Sequence, residues 1–151
     1  MSRSMGTQRS GLGAPMRPDV DTSGALRLEA VAGSVAESRH WVVTRLGALG
    51  ASEAAAHVAE LLTSELVTNA VRHGPTAGVI TVRAASEGGA IRITVSDESP
   101  MSPVLCEPDP EDLGGRGLLL VDALASEWGV QMHDGAGKSV WLRLELGEFA
   151  A

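Results

Sequence analysis

The sequence is poor in aromatic side chains. It has no Tyr, one Phe and three Trp, too few for the stacking platforms on which single-stranded nucleic acids are held. Positive charge is also scarce: 12 Lys and Arg stand against 19 Asp and Glu, a net charge of −7. A phosphate-tracking surface needs the opposite balance, so no direct nucleic-acid partner is expected. Cysteine occurs once, at Cys106, which excludes an intrachain disulfide and fits a reducing compartment. That lone thiol reads as an incidental loop residue. No run approaches the roughly 20 apolar residues that span a bilayer. The opening residues carry Arg without an apolar stretch, so neither a membrane partner nor a signal peptide is expected. These absences together lead to the expectation of a cytoplasmic protein.

What is present is a chain of 151 residues with 44% hydrophobic content, enough for one domain with a packed core. Residues 1–23 are rich in Gly, Ser, Arg and Pro without a period and read as a flexible tail. Residues 24–147 read as the domain. "ALRLEA" alternates Leu26 and Leu28 with Arg27 and Glu29, a short strand. From Ser34 the spacing becomes helical, with Val35, Val42, Leu46 and Leu49 on one side and glycines at 47 and 50 marking the end. Ser52 is a natural N-cap for a second helix that stops at "HGPT". "GVITVRAA", "SEGG" and "AIRITVSD" form a hairpin signal. The Pro-rich stretch after Ser99 has no period and reads as a long loop. "GGRGLLLVDALASEWG" then turns helical at Leu118, and "GVQMHD", "GAGK" and "SVWLRLEL" close the chain as a second hairpin. Strands that arrive as hairpins belong to a mixed, largely antiparallel sheet. The expected fold is an α/β two-layer sandwich with three helices on one face.

Three features carry chemistry. Within "ELLTSELVTNAVRHG", Val58 upstream and Leu62, Glu65, Leu66, Asn69 and His73 fall in one sector of roughly 100° on a helical wheel. Glu65 and Asn69 are one turn apart on the same side, among apolar neighbours, and need water, a ligand or a metal ion. A pairing of Glu65 with Arg72 and of Asn69 with backbone is the plain alternative. Magnesium suits the pair, since it favours hard oxygen donors beside phosphate. In "AIRITVSD" the period of two puts Asp97 on the face of Ile91, Ile93 and Val95. There its carboxylate meets either a ligand donor, such as the amino group of a base, or the backbone of its own turn. Finally, Gly114, Gly115 and Gly117 precede a helix, where free N–H groups and the helix dipole suit phosphate and Arg116 can add a charge-assisted contact. A simple hinge is the alternative there.

In order, the chain offers E-x-x-x-N-A-x-x-H on a helix, a strand ending in Asp, a long loop, Gly-x-Gly opening a helix, and G-K-S-V-W on a final strand. This set resembles the GHKL ATPase superfamily with its Bergerat fold, and in particular its small single-domain branch, the anti-sigma-factor serine/threonine kinases. The resemblance runs from Ala25 to Leu146. It implies ATP and Mg2+ as cofactors, Glu65 as general base and Asn69 as magnesium ligand. It further implies Asp97 as the partner of the adenine amino group and residues 98–114 as the ATP lid. Gly115, Arg116, Gly117 and Leu118 would lie at the phosphates, and Ser139 would help hold adenine through water. The implied partners are a sigma factor and an anti-anti-sigma protein, with a possible homodimer. One segment departs from the family pattern D-x-G-x-G: "DESPM" places Ser99 and Met101 where glycines are expected. That departure favours a second expectation, a docking module of the same fold without catalysis. A phosphorelay histidine kinase domain is a third, but no helix pair carrying a phosphoacceptor His accompanies it.

Overall fold

A computed structural model describes residues 19–20, 24–75, 78–99, 117–133 and 137–149. Strand β1 (Asp19–Val20) and strand β2 (Ala25–Glu29) come first, followed by helix α1 (Gly33–Ala48) and helix α2 (Glu53–His73). A hairpin of β3 (Val79–Glu87) and β4 (Ala90–Asp97) follows. Helix α3 (Gly117–Leu124) leads into a second hairpin, β5 (Glu127–His133) and β6 (Gly137–Glu145), and a 3-10 turn at Leu146–Phe149. The strands form one sheet in the order β1-β2-β3-β4-β6-β5, and every neighbouring pair is antiparallel.

The expected α+β sandwich is therefore the observed one, and its cause is visible in the alternation of the strands. Cross-strand pairs Leu28 with Ile80, Val82 with Val95, Ile93 with Leu142 and Ile91 with Leu144 place aliphatic side chains on one face. All of these are buried, and each fully buried aliphatic side chain contributes about 1.5–3 kcal/mol of apolar burial. Helix α2 covers that face with a seam of Ala55, Ala59, Leu62, Leu66 and Ala70. Small residues in the seam bring the helix close to the sheet. Ser52 caps α2 as expected, its hydroxyl accepting the Ala55 N–H at 3.2 Å. Helix α1 packs on α2 and on β2 and β3, burying Ser34, Ser38, Val42 and Leu46. The two serines are satisfied locally: Ser38 Oγ donates to the Val35 carbonyl at 2.8 Å and Ser34 Oγ to that of Glu29.

Two elements differ from the sequence expectation. Asp19 and Val20 pair with Arg27 and Leu26 as a short edge strand, inside the segment read as a tail. The third helix ends at Leu124, and Glu127 and Trp128 already belong to β5. Trp128 makes the switch favourable: it packs against the core, and its indole N–H donates to Asp122 Oδ1 at 2.9 Å, tying β5 to α3.

Candidate functional site

The residues singled out on α2 sit at the edge of the buried seam rather than at its centre. Leu62 and Leu66 are buried, whereas Glu65 and Asn69 are half-buried beside them. His73 is exposed at the C-terminus of the helix. Within Asn69 the two ends of the amide differ: its Oδ1 is buried and has no hydrogen-bond partner. A buried acceptor in that state costs about 1–3 kcal/mol. It is a hard oxygen one helical turn from a carboxylate, the kind of donor that suits magnesium. Among the described residues no group of three or more His, Cys, Asp or Glu is placed to hold a metal ion. A cation at Asn69 would therefore take its remaining ligands from phosphate and water, which matches the way magnesium is usually bound.

Asp97 ends β4 on the face of Ile91, Ile93 and Val95, pointing inward and 8% exposed. Both of its oxygens are engaged. Oδ1 accepts the Ser99 N–H at 2.7 Å, and Oδ2 accepts from Lys138 Nζ at 2.7 Å. The first contact is the turn bond expected of an Asp at a strand end. The second was not foreseen. Asp97 and Lys138 are direct cross-strand partners, so their side chains share one face of the sheet. Lys138 is 6% exposed, a burial that Lys tolerates only when paired. One signal in the sequence marks it: Lys138 has the parity of Val140, Leu142 and Leu144, which line the same face.

Ser139 lies on the other side of the sheet. Its cross-strand partner is Ser96, and the two hydroxyls are 2.6 Å apart. His133 Nε2 meets Ser139 Oγ at 2.7 Å. The structure thus separates Ser139 from Asp97 and sets Lys138 in that place. The approach of the strands depends on Gly137, which has φ of +106° and leaves no room for a side chain. A Cβ there would lie 1.9 Å from the Asp97 carbonyl oxygen. Ser99, in the position of an expected glycine, is buried, at 1% exposure.

Gly117 is the first residue of α3 and Leu118 is buried in the core, so Leu118 anchors the helix by its side chain and can meet a ligand only through its backbone. α3 packs beside α2, which brings its N-terminal dipole to the same layer as Glu65 and Asn69. Gly115, Arg116, Met101 and Cys106 lie outside the described residues, as does residues 98–114 apart from Glu98 and Ser99. Among the described residues no helix is long and apolar enough to cross a membrane.

Comparison with known proteins bears on the fold. A search of curated proteins gives no match. Among solved structures, that of the RsbU and RsbW domains of a Mycobacterium tuberculosis protein is 26% identical, with a TM-score of 0.61, covering 81% of this chain and 32% of that one. A blue-light activated histidine kinase from Erythrobacter litoralis is 32% identical, with a TM-score of 0.49, covering 62% of this chain and 31% of that one. This chain thus spans about a third of the length of either neighbour. The family model of the histidine kinase-like ATPase domain matches residues 28–144. The chain belongs to the histidine kinase-like ATPase domain family.

Proposed function

We propose that the chain binds Mg-ATP and acts as an anti-sigma-type protein serine/threonine kinase that regulates transcription. Its partners in this reading are a sigma factor and an anti-anti-sigma protein whose Ser or Thr accepts the phosphoryl group. The observation that carries the reading is the buried, unpartnered Oδ1 of Asn69, one turn from Glu65. Likeness to a structure containing an RsbW domain supports the regulatory branch of the family.

In-line phosphoryl transfer asks mainly for positioning and charge stabilisation. Glu65 takes the proton of the acceptor hydroxyl as its oxygen bonds to the γ-phosphorus and the bond to ADP breaks. This requires Glu65 within hydrogen-bond reach of that hydroxyl, directly or through one water. Asn69 would hold magnesium, which supplies neutralisation of the phosphate charge when bound. The N-terminus of α3 presents backbone N–H groups to the phosphates, with Gly115 and Arg116 leading into it. Asp97 receives the base.

The engaged carboxylate of Asp97 favours a second reading, a docking module of the same fold that does not turn over ATP. Both of its oxygens already have partners, and Ser99 and Met101 replace glycines in the adjoining segment. Calorimetry with Mg-ATP decides between the two. The kinase reading expects binding at or below millimolar nucleotide and transfer of labelled phosphate to an acceptor protein. Absence of any heat of binding at millimolar Mg-ATP excludes it and leaves the docking module.

A further inference from the structure

The Asp97–Lys138 pair invites a role beyond that of a counterion. A buried ion pair stabilises a fold no better, on average, than apolar residues of the same volume. Its value lies in what it presents. A carboxylate has roughly four acceptor positions and an ammonium three donors. Here two of the former and one of the latter are used by Ser99 N–H and by the pair itself. What remains is an acceptor and a donor side by side, in a pair with no net charge. That arrangement matches the edge of a neutral base carrying an amino group next to a ring nitrogen. The hydroxyl that sequence reading assigned to this position, Ser139, is committed to Ser96 and His133 across the sheet. Lys138 is therefore the polar group of β6 that stands beside Asp97.

We infer that Lys138 is a base-specificity residue of the nucleotide site: its ammonium donates to adenine N1 while Asp97 accepts from the adjacent amino group. This rests on the nucleotide-binding reading above. Guanine presents an acceptor and a donor in the reverse order, which opposes its carbonyl oxygen to the Asp97 carboxylate.

The test compares Mg-ATP with Mg-1-deaza-ATP, which lacks N1, by calorimetry on the full chain and on Lys138→Met and Lys138→Gln. A hydrogen bond from a charged donor is worth roughly 10- to 100-fold in affinity. The wild-type chain is expected to bind 1-deaza-ATP that much more weakly than ATP. Lys138→Met should bind the two alike, both near the weaker value. Lys138→Gln, which keeps a neutral donor, should retain a few-fold preference for ATP, and it carries the comparison if a thermal melt shows Lys138→Met unfolded. Equal binding of both nucleotides by wild type overturns the inference while leaving the nucleotide site intact. So does a Lys138→Met variant that discriminates as wild type does. No binding of either nucleotide by wild type overturns the nucleotide reading and this inference with it.

Discussion

Replacing Asn69 by Leu should make the protein more stable and less able to bind its ligand. The buried Oδ1 lacks a partner, and an unsatisfied acceptor of that kind costs about 1–3 kcal/mol. Leucine has a similar volume, removes the acceptor, and adds a few tenths of a kcal/mol of helix propensity toward the C-terminal end of α2. Burial beside Leu62 and Leu66 adds apolar contact. Against these stands the hydration of the half-buried amide, which leucine gives up. The sum is a gain of about 1 kcal/mol, read as a shift in the urea midpoint at unchanged slope. The second half of the experiment repeats the unfolding with Mg-ATP. A ligand at a hundred times its Kd raises the stability of wild type by about 2.7 kcal/mol, and Asn69→Leu should show none of this. A loss of more than about 1 kcal/mol in the absence of nucleotide would refute the reasoning, because the oxygen would then be serving the fold.

Other substitutions separate the remaining roles. Glu65→Gln should leave Mg-ATP affinity within a factor of a few and lower phosphoryl transfer by roughly 10²–10⁴-fold, the usual contribution of a general base; an unchanged rate in a labelled-phosphate assay removes Glu65 from the chemistry. Asp97→Asn strands the buried ammonium of Lys138 and should cost about 3–5 kcal/mol in urea unfolding; a cost below 1 kcal/mol would mean that Lys138 finds another anion. Gly137→Ala should cost at least about 1–2 kcal/mol from its positive φ alone, with more from the contact at the Asp97 carbonyl; a thermal melt matching wild type would show that this end of β6 shifts freely.

The layers of this fold were legible because hairpins and amphipathic helices announce themselves by period. Ile91, Ile93, Val95 and Asp97 fall on one face from spacing alone, and the structure keeps them there. Ser52 marked the start of α2 through a capping bond that any helix needs. The depth of Glu65 and Asn69 was harder to read. The seam of α2 is built partly from Ala55, Ala59, Thr63 and Ala70, small residues that weigh little in a hydrophobic pattern, so the buried centre lies to one side of the sector that the larger residues define. A two-residue strand such as Asp19–Val20 has no period to detect. Lys138 escaped notice for a different reason: charge suggests solvent, and only the cross-strand register reveals that its neighbour is Asp97.

Gly137 gives that register a wider meaning. Sliding β6 by a single residue against β4 would swing the ammonium out to the far side and bring a hydroxyl alongside the carboxylate. Whether the carboxylate at this end of the sheet is neutralised or left a bare anion is thus decided by how the last two strands zip together. A glycine with no counterpart in the chemistry holds the zipper at the neutral setting.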